Sequence, residues 1–311
     1  MGDSLQIWSE VGRTWASTSP ILTLMRQFIR FHRAASKRIM TSSIIEWTSP
    51  DKARAKEIFK SVEPYRAIIF GSIEHGRAKI HVDSIDDPKV GWWSFSFLNA
   101  VAGNSDSDSA KYIIEQFPYM MILCVPDKSW EGLVRSTWGE HLYVMPRTRL
   151  SEKTLDINHL RQLKKSLPEG FTLQQVDRES LENLADRKMA YHITQFFGTP
   201  EDFLENGFGF CIRHGEKVVS MASTFTPYSD AIEIEIETLD SPEYRRKGLA
   251  TVVGAALLEH ALDNGITPYW DAQTQISVKL AQKLGYTNPE SYELFIRVKP
   301  EDKEKIIAAL G

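Results

Sequence analysis

Apolar and polar positions alternate with period two over residues 231–238, where Ile232, Ile234 and Ile236 interleave with Glu233, Glu235 and Glu237. That period places three isoleucines on one face of a strand and three carboxylates on the other. Pro242 ends the ladder. From Leu249 onward the apolar positions Val252, Val253, Ala256, Leu257 and Leu262 fall at helical spacing. Between strand and helix stands a basic turn, Arg245-Arg246-Lys247-Gly248-Leu249-Ala250, followed by Thr251. The rest of the second half predicts a strand at 171–177, a long helix over 179–197, and a hairpin of 208–213 and 217–226 about His214-Gly215. Residues 270–286 predict a strand end, a helix and the closing Leu284-Gly285-Tyr286.

The first half predicts a helix that opens at Ser49-Pro50-Asp51, with proline at the first helical position, and runs to Tyr65. Strands follow at 66–73 and 78–82, then an aromatic strand over 92–98 (WWSFSFL). The turn NSDSDS, 104–109, leads into a helix at 110–117; its two aspartates lack the further oxygen ligands a calcium loop requires. The unbroken apolar run at 120–125 predicts a central strand, 128–138 a helix, and 141–150 another strand. Strands alternating with helices imply an α/β or α+β fold. A short polar helix and Leu167-Pro168-Glu169-Gly170 place a linker at 151–170, between a first unit, 44–150, and a second, 171–311. No internal repeat or low-complexity tract is visible.

Charge sets residues 1–43 apart as an extension. Six basic residues against Asp3 and Glu10 give the first 39 residues +4, so the remainder carries −8 of the formal −4. An acid-poor, Arg- and Ser-containing amphipathic stretch reads either as an organellar presequence, which would send the protein to mitochondria, or as upstream sequence before Met40. The acidic body argues against a nucleic-acid partner. No apolar run approaches the length that crosses a bilayer. Cys124 and Cys211 lie far apart in apolar segments, which predicts two buried thiols in a reducing, cytoplasmic setting.

The chemistry rests on the basic turn. Consecutive backbone N–H groups after a strand, beside cationic side chains and at a helix N-terminus, suit phosphate oxygens. Glycine at 248 lets a ligand approach the main chain, and Ala250 keeps the helix close. Three carboxylates at i, i+2 spacing raise one another's pKa values and attract an ammonium group, as a general base for an amine requires. The order of preference is Glu235, Glu237, Glu233.

The turn resembles the R/Q-x-x-G-x-G/A pyrophosphate loop of the GNAT superfamily of N-acetyltransferases, and residues 270–286 resemble that superfamily's second helix and following strand. Over 196–297 the chain resembles the two-domain GNAT group that includes zwittermicin-resistance-type proteins. The resemblance implies a mixed sheet flanked by helices in the second half, preceded by a smaller α/β unit. It implies acetyl transfer from acetyl-CoA, with no metal, to a primary amine of a small molecule, by direct attack in a ternary complex. Arg245, Arg246, Lys247, Gly248, Leu249, Ala250 and Thr251 would hold the pyrophosphate, Thr238 and Leu239 would pair with the pantetheine arm, and Ser277 would face the cleft. The superfamily's thiolate-protonating Tyr corresponds to Ala281 and its usual Asn to Thr274. A non-catalytic acyl-CoA-binding protein is the alternative.

Overall fold

The structure, a computed structural model, describes residues 44–310; the expected extension at 1–43 lies outside them. The first half supplies β1 (Ile45–Glu46), β2 (Lys79–Val82), β3 (Val90–Phe95), β4 (Leu98–Gly103), β5 (Ile122–Cys124) and β6 (Leu142–Ser151). The second half supplies β7 (Phe171–Gln175), β8 (Gly209–His214), β9 (Lys217–Thr224), β10 (Ala231–Thr238), β11 (Thr267–Ala272) and β12 (Thr287–Arg297). All join one mixed sheet in the order β1-β2-β3-β4-β5-β12-β6-β11-β10-β9-β8-β7. The fold class expected from the alternation of strands and helices is the one observed.

The helices are α1 (Lys52–Phe59), α2 (Arg66–Glu74), α3 (Asp108–Gln116), α4 (Lys128–Trp138), α5 (Ile157–Lys164), α6 (Arg178–Glu182), α7 (Pro200–Asn206), α8 (Leu249–Asp263), α9 (Gln275–Leu284) and α10 (Lys303–Leu310). Side-chain caps fix several N-termini: Ser107 accepts from Ala110 N, Asp127 from Ser129 N and Trp130 N, and Thr274 from Ser277 N.

Element order repeats between the halves. Antiparallel β2-β3-β4, helix α3, parallel β5, helix α4 and β6 correspond to β8-β9-β10, α8, β11, α9 and β12. The two final strands are exchanged: β12 lies between β5 and β6, pairing antiparallel with β6 from Leu142↔Arg297 to Ser151↔Thr287. The similarity lies in hydrogen-bond topology rather than in residues, which is why no repeat is visible in the sequence.

Four local expectations are corrected. Residues 66–73 form α2, not a strand: its apolar run is buried nearly all round, and a run without periodicity does not separate the two states. The α1 cap is Asp51, which accepts from Arg54 N at 2.8 Å. The stretch 92–98 is a hairpin, turned at Ser96 with φ 58° rather than at a glycine. The helix expected over 179–197 is broken after Glu182, where Leu184 bridges to Val218, Asp186 caps a 3₁₀ turn at Arg187–Ala190, and a π turn follows at Ile193–Phe197. Within residues 151–170 the expected short polar helix is α5, which packs on α8, with Arg161 Nε 2.8 Å from Glu259.

Candidate functional site

The strands β10 and β11 pair in parallel only at Ala231↔Thr267, Ile232↔Pro268 and Glu233↔Tyr269. Beyond that point β11 turns to pair with β6 at Trp270–Ala272, while β10 continues to Thr238 against β9 alone. The sheet therefore opens between them. Backbone groups alternate in direction along a strand, and Phe225 N donates to Glu233 O while Leu239 N donates to Val219 O, so the odd positions face β9. Ile234, Ile236 and Thr238 accordingly present their main-chain groups to the opening. Leu239 is a correction to the expected edge: its amide is committed to Val219 O (2.8 Å) and its carbonyl to Ser241 N (2.9 Å).

The basic turn lies where β10 leaves the sheet. Arg246 has φ 57° and Gly248 φ 79°, with Lys247 between them at negative φ, an alternation that makes successive N–H groups converge. Among the described residues, no backbone carbonyl accepts from the amides of residues 246–251. The space beyond Gly248 is open, since an added Cβ would meet nothing within 4 Å. Leu249 is buried in the core, Thr251 is buried, and Ala250 lines the opening, so α8 offers amides there rather than side chains. Arg245 pairs with Asp240 at 2.5 Å, and Lys247 Nζ lies 5.7 Å from the centre of the Phe171 ring. The counterpart turn of the first half, after β4, has no such vacancy of donors: Asn104 N donates to Lys89 O, Asp106 N to Asn104 Oδ1, and Ser107 N to Asn104 O.

A cavity of about 600 Å³ occupies the opening and extends across the sheet face toward the first half. Glu233, Glu235 and Glu237 line it from one side of β10, as the alternation predicts. Glu233 is buried, and burial together with Asp271 raises its pKa well above the ordinary carboxylate range, against a lowering by Arg147. Burial, with Glu237 next in weight, pushes Glu235 up to about 8, again opposed by Arg147. Glu237 is the most exposed of the three; burial and Asp186 raise it and Lys188 lowers it.

Several lining residues were not foreseen. Arg147 on β6 donates through Nε to both Asp271 carboxylate oxygens (3.1 and 3.0 Å), through Nη2 to Oδ2 (2.7 Å), and through Nη1 to Gln273 Oε1 (3.2 Å). The broken segment carries Lys188, Tyr191, His192 and Phe196 onto the cavity. His192 Nε2 lies 2.8 Å from Ser223 Oγ, and burial pushes its pKa down to about 3, so the ring is neutral. Ser223 stands directly opposite Glu235 across the strand pair.

Ser277 lines the cavity as expected; its hydroxyl accepts from Trp270 Nε1 at 3.1 Å. Ala281 is wholly buried among Leu150, Leu160 and Ala255. The two cysteines are buried, and burial raises both thiols. Among the described residues, no helix is long and apolar enough to cross a membrane.

The profile of the family described as GNAT acetyltransferase matches residues 56–295. An uncharacterized N-acetyltransferase of Bacillus subtilis (strain 168), YdfB, is 28% identical over 169 residues, which span 54% of this chain and 62% of that protein. The chain thus aligns with less than two thirds of that relative's length. Among solved structures, a GCN5-related N-acetyltransferase-like protein from Streptococcus suis 89/1591 superposes with a TM-score of 0.63 at 29% identity, covering 79% of this chain and 97% of the other. A tandem GNAT protein from the clavulanic acid biosynthesis pathway shares the fold at 11% identity and a TM-score of 0.53, covering 81% and 97%. A match over this much of the chain, together with the opened sheet and the donor-lined turn, makes the protein a member of the GNAT acetyltransferase family.

Proposed function

We propose that the protein moves an acetyl group from acetyl-CoA to a primary amine of a small molecule. The observation that carries this reading is the meeting, in one cavity, of an unpaired strand edge and a face of raised-pKa carboxylates, with the turn of unengaged amides reaching that cavity at Ala250. The amides of residues 246–251 would take the diphosphate oxygens, with the α8 dipole and the exposed Arg245, Arg246 and Lys247 adding favourable charge. Ile234, Ile236 and Thr238 would pair with the pantetheine amides. Ile276, 81% exposed at the mouth, offers an apolar wall to that arm.

Glu235 serves as the base. Its raised pKa matches a group that must take a proton from an ammonium near neutral pH. The freed amine attacks the thioester carbonyl, a C–N bond forms, the nitrogen passes its surplus proton to water, and the C–S bond breaks. The sulfur takes a proton from water or from Ser277, whose hydroxyl accepts from Trp270 and keeps its own hydrogen to give. The two buried, free cysteines accord with a reducing compartment, and we place the protein in the cytoplasm.

Thiol release tests the reading. Purified protein, acetyl-CoA and a panel of amines should liberate free thiol in step with an acetylated product seen by mass. A second reading, a non-catalytic acyl-CoA-binding protein, is favoured by Ala281, buried where the family's proton donor would stand. Binding of acetyl-CoA without thiol release on any amine selects it.

A further inference from the structure

The charged lining of the cavity is confined to one end, and Tyr65, Tyr191 and His192 add neutral polar groups to its wall. Glu233, Glu235, Glu237, Lys188, Gln273, Thr274 and Ser277 surround the opening between β10 and β11. Arg147 and Asp271 form the inner boundary of that zone, and their mutual hydrogen bonds neutralise both charges. Past them the wall is made by Ile68 above and Leu98, Ile122, Met145, Leu294 and Ile296 below. The last five stand on β4, β5, β6 and β12, four neighbouring strands, and share a sheet face with Arg147. Strand spacing makes this apolar floor about 14 Å wide. Each of the five is less than 9% exposed.

We infer that the acceptor is an amphiphilic monoamine, an alkyl or arylalkyl amine whose ammonium stands at Glu235 and whose hydrocarbon part lies on the apolar floor beyond Arg147. This rests on the proposed amine acetylation and names its substrate class. A polyamine would carry a second ammonium into a region with no carboxylate to meet it, and desolvation penalises it there. A hydrocarbon chain meets no such penalty, and each methylene it buries improves binding roughly fourfold. The Arg147–Asp271 pair marks the division, because a neutralised pair neither repels an ammonium held in front of it nor attracts one past it.

The test uses the full chain and unbranched alkylamines from propyl to octyl, with spermidine and free lysine as polar amines. Binding is read by calorimetry in the presence of coenzyme A, and turnover by thiol release. Affinity should rise roughly fourfold per methylene. Leu98→Phe, which fills the inner end, should weaken octylamine about tenfold and change propylamine less than twofold. Ile122→Phe on the adjoining strand repeats the measurement should Leu98→Phe fail to fold. A flat series, spermidine or lysine bound more tightly than octylamine, or equal losses for all chain lengths in both variants would overturn the inference. So would a preference for hexanoyl-CoA over acetyl-CoA with propylamine that Leu98→Phe abolishes, since the floor would then belong to the acyl donor. Chain-length-dependent binding without thiol release supports the inference while defeating acetyl transfer, so the two failures stay distinct.

Discussion

Arg147 on β6 and Asp271 on β11 hold each other by a guanidinium-carboxylate pair, with Nη2 2.7 Å from Oδ2, and both side chains are mostly shielded from solvent. The pair stands beside the acidic face of β10, where Arg147 draws the pKa values of Glu233 and Glu235 down and Asp271 draws Glu233 up. One bridge between strands thus ties the sheet across its centre and sets the charge state of the face behind the opening.

Replacing Arg147 by Met leaves Asp271 uncompensated and removes the main influence lowering Glu233 and Glu235. Breaking one partner of a shielded pair costs about 3–5 kcal/mol, so the urea midpoint should fall sharply. The pH at which kcat/KM reaches half its plateau should move upward as the Glu235 pKa climbs. Arg147→Met with Asp271→Leu should recover most of the stability, because an apolar pair of similar volume leaves no buried charge. A single variant with wild-type stability and pH profile would show the bridge to be inert.

Glu235→Gln tests the base through two pH dependences of known sign. A base works when ionised, so wild-type kcat/KM should rise with pH toward about 8 and fall away below it. The variant should lose that limb and at least a hundredfold in rate. For stability, a carboxyl raised in the folded protein binds more protons folded than unfolded. Its contribution is complete below the unfolded value of 4.5 and is lost as pH climbs through about 8. Relative to wild type, Glu235→Gln should therefore gain stability between pH 5 and 9, on the order of 2 kcal/mol at the upper end after allowance for water in the cavity. Parallel melting curves of the two proteins across that range would place the raised carboxyl elsewhere.

Gly248→Glu sets a carboxylate into the open space beside the unengaged amides of the turn. Acetyl-CoA affinity should drop at least a hundredfold in titration calorimetry. The positive φ of 79° adds a backbone penalty of about 1 kcal/mol, small enough to leave the fold intact. Retained affinity would mean that the diphosphate lies away from this turn.

How much of this could be read from residues alone depends on sequence separation. The β10 face and the turn after it lie within twenty residues, and period two, a proline stop and a glycine at positive φ announce them locally. Arg147 and Asp271 lie 124 residues apart and meet only through the register of β6 against β11, which no local pattern encodes. The same holds for the exchange of β6 and β12. The break in the 179–197 segment had a local sign, Asp186 as a potential cap, but helical periodicity on either side obscured it. That one misreading removed Lys188, Tyr191 and His192 from view, since a continuous helix turns them elsewhere. The Leu239 error came from in-plane direction: side-chain alternation shows which face a residue takes, and only the pairing with β9 shows which edge its amide faces.

Two glycine-to-alanine changes in helices should move stability in opposite directions. Alanine normally stabilises a helix interior by about 0.5–1 kcal/mol over glycine through lower backbone entropy in the unfolded chain. Gly132 in α4 is exposed, and its added methyl would meet nothing within 4 Å, so Gly132→Ala should show that gain. Gly71 in α2 faces the segment joining β9 to β10, and its Cβ would come within 2.1 Å of Pro227 O and 3.0 Å of Tyr228 Cα. Those are main-chain atoms and cannot rotate away. They are also held in place, since His75 Nε2 lies 2.8 Å from Tyr228 O. Relief requires α2 to lift from the 227–228 segment, and overpacking of this kind costs about 1–3 kcal/mol, which exceeds the propensity gain. Gly71→Ala should therefore lose roughly 1–2 kcal/mol net in urea unfolding. Because Ile68, one turn earlier on α2, roofs the apolar end of the cavity, the variant should also alter amine KM more than acetyl-CoA KM. A Gly71→Ala protein as stable as Gly132→Ala would mean that α2 does not press against the β9–β10 connection and that the cavity roof is set by other contacts.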